Sequence, residues 1–159
     1  MSDARFEDGA ERAIRLRAET PEDLVVISAL LQDAVGETDR IAWAAKHRRF
    51  TLLLNRFRWE DAAGAARQKR PYERVQTLLS IESVLRARSN GVDPADPDTV
   101  LALLSLEFRP GEDGSGTLVL VLSGDGEIAL DVECLDVTLA DVSRPYTASA
   151  RTLPGHGAE

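Results

Sequence analysis

RRFTLLLNRFRWE, the stretch Arg48–Glu60, decides the fold class of this chain. Side chains of a β-strand point alternately to the two faces of a sheet, so a strand over Arg49–Trp59 presents two different surfaces. Both surfaces are apolar near the middle of the stretch, which predicts a central strand. Towards its end, one face becomes cationic at Arg56 and Arg58, and the other becomes aromatic.

Apolar alternation bounded by turn residues predicts further antiparallel strands on both sides of this stretch. The clearest turn is Asp125-Gly126, because a tight hairpin needs the positive φ that such a pair supplies. Three hairpins follow from the pattern: Ile41–Ala44 with Arg49–Trp59, Tyr72–Ser80 with Val84–Ser89, and Thr117–Leu122 with Glu127–Cys134. Cys134 ends the last of these strands on its apolar face.

Two segments do not read as plain strands. Thr20-Pro21-Glu22-Asp23 is typical of a helix start, with a capping hydroxyl, proline at the first helical position and acids in the first turn. The Val-Val-Ile run inside Leu24–Leu31 favours a strand, so periodicity leaves helix and strand open, and we expect one helical turn leading into a strand. Glu60–Arg70 is small, polar and contains Gly64, which predicts a mobile surface loop.

These patterns predict a mainly β fold: an antiparallel, partly closed barrel or sandwich of two meanders plus a hairpin, with seven to nine strands and little helix. A length of 159 residues fits one domain. We place that domain at residues 14–146, with flexible tails at 1–13 and 147–159 that lack apolar periodicity. Residues 21–60 and 97–141 repeat the same order of segments, but their identity is too low to decide whether the halves are a duplication.

Composition indicates a cytoplasmic protein. The chain has one cysteine, which cannot form an internal disulfide and suits a reducing compartment. No apolar run approaches the roughly 18–20 residues needed to cross a bilayer. The first twenty residues are mixed in charge and have no apolar segment, so we expect no secretory signal there.

Charge is distributed unevenly along the chain. The net charge is −8, yet residues 46–74 contain nine Lys or Arg against three acids, a local sum of +6. An acidic total argues against nucleic acid as the partner, because such binders show a dominant basic field. We interpret the asymmetry as basic and acidic strands that neighbour and neutralise each other, with a local anion-binding patch as the alternative.

Signatures of catalysis and metal binding are missing from the sequence. Cys134 is predicted to be buried and inert, and nucleophilic catalysis needs a base within reach. Neither His47 nor His156 has a second His or Cys at a metal-binding spacing. Asp131 and Glu133 share a strand face, but we expect that face to be solvated. We therefore predict no catalytic residues, no metal site and no cofactor, and lean against an enzyme.

The best candidates for a binding surface lie at the end of the predicted central strand. Arginine forks bind carboxylate or phosphate groups bidentately, and an adjacent indole can stack on a ring. The candidate binding residues are Asn55, Arg56, Arg58, Trp59 and Glu60. The alternative interpretation is structural: Phe57 and Trp59 belong to the core, and the two arginines pair with acids such as Asp131 or Glu133 on another strand.

The same segment resembles an uncharacterised bacterial family of small proteins that is classed only as a domain of unknown function. An Asn-Arg-Phe-x-Trp-Glu string is the most specific part of the resemblance, which spans about Leu16 to Tyr146. It implies a small cytoplasmic bacterial protein with no assigned activity, so it supplies no catalytic residues. The matching residues are Leu31–Ala34, Arg48–Phe50, Leu54–Glu60, Tyr72–Val75 and Val132–Cys134.

The function itself remains unknown from the sequence. The leading hypothesis is a non-enzymatic cytosolic binding or adaptor module that uses the cationic-aromatic strand end and the Glu60–Arg70 loop. Its partner would be another protein or a small anionic ligand, with neither nucleic acid nor a membrane involved. The alternative is a small-ligand binder or enzyme with a site inside a β-barrel. If Arg56 and Arg58 bind a partner, replacing both by Ala should leave the melting temperature almost unchanged.

Overall fold

The computed structural model describes residues 13–93 and 95–147. Within these residues, eleven antiparallel strands form one sheet that is not closed, and two α-helices accompany it. The strands are β1 (Arg15–Ala18), β2 (Val35–Glu37), β3 (Ile41–Ala44), β4 (Arg49–Phe57), β5 (Glu73–Ile81), β6 (Val84–Asn90), β7 (Val100–Pro110), β8 (Gly116–Leu122), β9 (Glu127–Val132), β10 (Val137–Asp141) and β11 (Tyr146–Thr147). The helices are α1 (Pro21–Leu30) and α2 (Trp59–Arg67).

The strand order is β1-β10-β5-β4-β2-β7-β8-β9-β6, with β11 added to β5 and β3 added to β4. The prediction of a mainly antiparallel β domain with little helix is therefore confirmed. The strand number exceeds the predicted seven to nine, because strands as short as β2 and β11 have too few residues to show an alternating pattern.

The sheet has two halves, β1-β10-β5-β4 and β7-β8-β9-β6, which β2 connects. One hydrophobic core joins them. Its buried side chains include Leu52 and Leu79 from β4 and β5, and Leu118 and Leu130 from β8 and β9. The sheet therefore bends so that residues distant along its strand order share a single interior.

Strand β4 is central, as the sequence predicts. It pairs with β5 along eight residues and with β3 and β2 on its other side. Residues directly opposite each other in an antiparallel pair share a face, so Arg56 and its partner Val75 lie on the face that carries Leu52 and Leu54. Those side chains are buried, whereas Thr51, Leu53 and Asn55 on the alternate row are half-buried.

Helix α1 corrects the expectation of a strand within Leu24–Leu31. The Thr20 hydroxyl accepts a hydrogen bond from the Asp23 amide, so the predicted start is confirmed. The helix continues to Leu30 because its stripe of Leu24, Ile27 and Leu31 packs into the core. That burial outweighs the β-propensity of the Val-Val-Ile run.

Helix α2 corrects the prediction of a mobile loop over Glu60–Arg70. Trp59–Arg67 is helical, with Asp61 and Ala65 buried one turn apart. Alanine is the best helix former, and four alanines offset the cost of a single glycine at Gly64. Acids in the first turn and Arg67 in the last turn also match the helix dipole.

The predicted hairpin of Tyr72–Ser80 with Val84–Ser89 is wrong. Strand β6 instead pairs with β9 and forms one edge of the sheet, far from β5 in the strand order. Ser83 adopts a positive φ of 58°, and the chain crosses there from one half of the sheet to the other. The other two predicted hairpins, β3–β4 and β8–β9, are present.

Cys134 also departs from its prediction, since it is exposed rather than buried. Strand β9 ends at Val132, so Cys134 lies beyond the alternating pattern that placed it on the apolar face. Its sulfur lies 3.7 Å from the Ser83 hydroxyl oxygen.

The predicted tails lie outside the described residues, apart from Ala13 and Thr147. Neither helix in the described part of the chain has the length and apolar character needed to cross a membrane.

Candidate functional site

The apolar face of the first half of the sheet ends in a row of polar and charged side chains. Arg56 extends the β4 row of Leu52 and Leu54, Asp141 ends the corresponding row of β10, and Thr77 lies on the same face of β5 between them. Asp141 lies opposite Thr77 in the register, so Arg56 and Asp141 face each other diagonally across β5. Arg56 is fully buried and the Asp141 side chain is 2% exposed.

All five N–H groups of the Arg56 guanidinium have a hydrogen-bond acceptor. Nε and Nη2 donate to the two carboxylate oxygens of Asp141, at 3.0 and 2.8 Å. Nη1 and Nη2 donate to the two carboxylate oxygens of Glu60, at 2.8 and 2.7 Å. Nη1 also donates to the Phe57 carbonyl at 3.2 Å. A guanidinium has five donors, so none is left for a ligand.

Arg56 joins three separate segments of the fold through these bonds. Glu60 belongs to the first turn of α2, and Asp141 ends β10. Asp141 in turn holds the N-terminal segment, because its Oδ2 accepts from the Ile14 amide at 2.8 Å and its own amide donates to the Ile14 carbonyl at 2.9 Å. The geometry makes Arg56 a structural connection between helix, sheet and N-terminal strand.

Electrostatics keep Arg56 charged despite its burial. Desolvation lowers the pKa of Arg56, but the hydrogen bonds and charges of Glu60 and Asp141 outweigh it and raise the pKa above its ordinary value. Removing either carboxylate would leave a buried charge less completely compensated.

Arg58 lies beside this group and is less completely bonded. Its Nη1 donates to Glu73 and lies 3.7 Å from the Asp61 carboxylate, and its Nε lies 3.7 Å from Glu60. The side chain is only 2% exposed, and Nη2 has no hydrogen-bond partner among the described residues. We call Arg56, Arg58, Glu60, Asp61, Glu73 and Asp141 the arginine cluster.

The cluster corrects the expectation that this strand end presents a cationic face to solvent. Arg56 and Arg58 point to the interior, where carboxylates from α2, β5 and β10 surround them. The alternative, in which both arginines pair with acids, agrees with the geometry, although the partners differ from Asp131 and Glu133. No local sequence pattern identifies Asp141 as a partner, because it lies 85 residues from Arg56.

Within the described residues, three of the nine basic residues at 46–74 pair with acids outside that segment, among them Arg56 with Asp141. Arg48 pairs with Glu133, and Arg49 pairs with Glu82 at 2.6 Å, both at the surface. Together with the arginine cluster, these pairs agree with the interpretation that basic and acidic strands neighbour each other.

Phe57, Trp59 and Tyr72 form an aromatic group at the junction of β4 and α2. The rings of Phe57 and Trp59 meet edge to face with centroids 4.7 Å apart, and Phe57 and Tyr72 are 5.6 Å apart. Phe57 is buried, while Trp59 is partly exposed and donates from Nε1 to the Gln32 carbonyl at 3.2 Å. Trp59 therefore begins α2 with its indole fixed rather than continuing the strand.

A groove of about 480 Å³ lies at the C-terminal end of α2. Its apolar lining comes from Ala65, Ala66, Pro71 and the Tyr72 side chain, and its basic lining from Lys69 and Arg70. We call these six residues the α2 groove. The sequence pattern predicts a loop over this segment and therefore no groove; the helical spacing of Asp61 and Ala65 is the signal that indicates the helix.

The turn that shapes the groove closes α2 in a Schellman motif. The Arg70 amide donates to the Ala65 carbonyl at 2.8 Å, and the Lys69 amide donates to the Ala66 carbonyl at 3.3 Å. Lys69 adopts a positive φ of 55°, a conformation that usually favours glycine. Lys69 therefore contributes a basic side chain to the lining of the groove from this turn.

The two rim cations differ in their partners. Arg70 donates from Nη1 and Nη2 to the two oxygens of Asp61, both at 3.2 Å, and this hydrogen bonding raises the pKa of Arg70. Lys69 has no ion-pair partner in the described part of the chain, and neither has Arg67 in the last helical turn.

Asn55 lies on the opposite face of β4 from Arg56, so the structure does not bring these two predicted site residues together. Its Oδ1 accepts a hydrogen bond from the Tyr146 hydroxyl. Burial raises the pKa of that hydroxyl, against an opposing effect of the Arg74 charge. Among the described residues, no group of three or more His, Cys, Asp or Glu side chains is arranged to hold a metal ion.

Comparison with known proteins identifies a family without a function. A family model described as "Protein of unknown function (DUF2948)" matches residues 14–156. No curated protein and no solved structure matches the chain. The match spans nearly the whole chain, and the protein therefore belongs to the DUF2948 family, whose function is unknown.

Proposed function

We propose that this protein is a non-enzymatic binding module that docks an acidic segment of another protein in the α2 groove. The observation that carries the proposal is an apolar floor beside a rim on which Lys69 has no ion-pair partner among the described residues, whereas Arg70 is paired with Asp61. On a chain of net charge −8, this rim is where an acidic partner meets attraction rather than repulsion.

Volume and charge favour a protein segment over a small anion. Ligand sites of roughly 300–1,000 Å³ suit occupants much larger than phosphate, and the groove lies within that range. The carbonyl end of α2 carries partial negative charge, which disfavours a compact anion against the helix end. Acidic side chains of a peptide would instead lie at the rim near Lys69, with an apolar side chain on the floor.

The arginine cluster has a supporting role in this proposal. Arg56 and Arg58 hold the first turn of α2 against the sheet through Glu60 and Glu73. A docking surface is more effective when its shape is fixed before the partner arrives, because less conformational entropy is lost on binding. Of the other candidate residues, Trp59 and Glu60 lie in the first turn of α2, at the opposite end of the helix from the groove, and Asn55 lies on the other face of β4 from Arg56.

The proposal places the module in the cytoplasm and excludes nucleic acid as its partner. An exposed, unpaired Cys134 suits a reducing compartment. The acidic total and the neutralised arginines of residues 46–74 leave only a small basic area, which suits a short acidic segment better than a phosphate backbone.

The test is a titration of ¹⁵N-labelled protein with a synthetic acidic peptide that carries one central leucine among glutamates. We expect amide shifts confined to the end of α2 and the start of β5, with binding that weakens as salt is added. Lys69→Gly should weaken binding several-fold without lowering stability, because glycine suits the backbone conformation of this position.

The matched control is Lys46→Gly. Lys46 lies in the turn before β4 and is remote from the groove in sequence. Equal weakening by both variants, or shifts scattered over the molecule, would contradict the proposal. If free glutamate displaces the peptide at equal concentration, the partner is a small anion and the protein-docking role is wrong.

A further inference from the structure

The pairing of β4 is interrupted on the side that faces β2 and β3. Strand β2 contacts β4 at one register position, Val35 opposite Asn55, and pairing resumes only at Ile41 opposite Leu52. Leu53 and Leu54 therefore have no β2 or β3 residue in register with them. Interruptions of this kind are found at sheet edges and next to functional sites.

A small cavity of about 130 Å³ lies at this interruption. Its lining includes Gly36, Glu37, Arg40, Leu53, Asn55 and Gln76. Gly36 is pressed against β4: a Cβ atom at this position would lie 2.9 Å from Leu54 Cδ2 and 3.0 Å from the Leu53 carbonyl oxygen. A side chain at this position would press on Leu54 and on the β4 backbone, so glycine allows the close approach of β2 to β4.

The turn that carries the two charged lining residues is anchored to the loop before β7. Thr38 is buried, its hydroxyl donates to the Asp96 carbonyl at 2.5 Å, and its amide donates to the Thr99 carbonyl at 3.2 Å. Glu37 and Arg40 flank this fixed point on either side. Their Cα positions are therefore set by the fold, while their side chains remain exposed.

The polar side chains around the cavity keep hydrogen-bonding groups that have no partner within the described residues. Within the described residues, the Glu37 carboxylate and the Gln76 side-chain amide have neither a hydrogen bond nor an ion pair, and Arg40 has only Asp39, at 3.9 Å. Asn55 accepts from the Tyr146 hydroxyl through Oδ1, which leaves its side-chain N–H groups available. A cation, an anion and two amides thus border one small space.

We propose that this cavity binds a small zwitterion of amino-acid size, with its carboxylate on Arg40 and its ammonium group on Glu37. The arginine fork suits a carboxylate, and the Glu37 carboxylate accepts hydrogen bonds from an ammonium group. The amides of Asn55 and Gln76 offer additional donors and acceptors. The volume is well below the roughly 300 Å³ at which drug-sized sites begin, so a larger ligand does not fit.

This site is independent of the α2 groove, because no described residue lines both. Either proposal can fail without affecting the other.

The test is calorimetric and thermal titration of the full chain with glycine, alanine and serine. Acetate and methylammonium serve as probes that carry only one of the two charges. We expect at least one amino acid to bind with a Kd below about 1 mM and to raise the melting temperature. Either single-charge probe should bind at least about tenfold more weakly, because it forms only one of the two charged contacts.

The decisive variant is Arg40→Gln, with Arg109→Gln as the matched control. Both arginines are exposed at the surface, so neither change should unfold the protein. Arg40→Gln should weaken binding at least about tenfold through loss of a charge-assisted contact, and Arg109→Gln should not. The proposal is overturned if none of the three amino acids binds, if acetate binds as well as they do, or if both variants behave alike.

Discussion

Two carboxylates in the two halves of the sheet hold arginines in opposite environments. Asp141 receives Arg56 at 2.8 and 3.0 Å, with side-chain exposures of 2% and 0%. Asp131 on β9 receives Arg86 at 3.1 Å and Arg88 at 2.7 Å, but those arginines are 65% and 48% exposed. The bonds have similar lengths, so burial is the main physical difference between them.

The comparison teaches that hydrogen-bond geometry alone does not reveal how much an arginine contributes to the fold. An exposed ion pair contributes about 0–1 kcal/mol, since water solvates both charges when they separate. Breaking a buried pair costs about 3–5 kcal/mol, because the remaining charge stays in the interior without its partner. Four of the five predictions below test this contrast, and the other, Lys69→Gly, tests the backbone at the α2 groove.

The largest effect is expected from Asp141→Ala. The change leaves Arg56 with Glu60 as its only carboxylate partner and removes the acceptor of the Ile14 amide. We expect the free energy of unfolding to fall by about 3–5 kcal/mol in a urea titration followed by circular dichroism. Asp131→Ala, its counterpart in the other half, should cost about 1 kcal/mol or less. Equal losses would remove the distinction between the two carboxylates.

A smaller loss is expected from Arg58→Met. Arg58 is as buried as Arg56, but its Nη2 has no partner among the described residues, so the substitution also removes an unsatisfied donor. After the substitution, Asp61 still forms its ion pair with Arg70, and the Glu73 side chain is 28% exposed to solvent. We expect a loss of about 1–3 kcal/mol in the same titration. A loss larger than that of Asp141→Ala would show that Arg58, and not Arg56, is the main connection of the cluster.

The exposed ion pairs of Asp131 should make the free energy of unfolding depend on pH. Partial burial raises the pKa of Asp131, but hydrogen bonds from Arg88 and Thr117 outweigh it and lower the pKa below the ordinary value. A lowered pKa in the folded state means that the pair contributes fully above the unfolded value of about 3.9 and loses its contribution as pH falls through the folded value. Asp131→Asn should therefore flatten the dependence of unfolding free energy on pH in this acidic window. Replacing Arg86 and Arg88 together by Met should flatten it similarly, and an unchanged slope in both variants would contradict the assignment.

The smallest predicted change in the free energy of unfolding is an increase. Lys69→Gly should raise the free energy of unfolding by up to about 1 kcal/mol, because a positive φ of 55° disfavours a residue with a Cβ atom. Thermal unfolding measures it. A decrease in stability would mean that the lysine side chain makes a stabilising contact that outweighs its backbone cost.

The sequence predicts the fold better than it predicts the surroundings of the site. The period-two pattern of β4 and the Asp125-Gly126 turn are local signals, and both lead to the observed strands and hairpin. Helix α2 was missed because Gly64 was given more weight than the surrounding alanines. The β5–β6 hairpin was wrong because nothing local shows that β6 pairs with β9 instead.

The carboxylate partners in the arginine cluster could not be predicted either, because they also depend on long-range strand pairing. Arg56 alternates with Leu52 and Leu54, and the same pattern fits an arginine at the solvated end of a face or one capped by acids. Only the register of β10 brings Asp141 to that end of the core. Contacts across 85 residues depend on the topology as a whole.

The most direct test of the contrast is a urea titration of Arg56→Met beside Arg86→Met. Both changes remove one arginine that donates to a strand aspartate, and the lengths of the replaced side chains match. We predict a loss of about 3 kcal/mol or more for Arg56→Met and less than about 1 kcal/mol for Arg86→Met. Losses of less than about 1 kcal/mol in both variants would contradict a structural role for Arg56 and return it to the candidate binding residues.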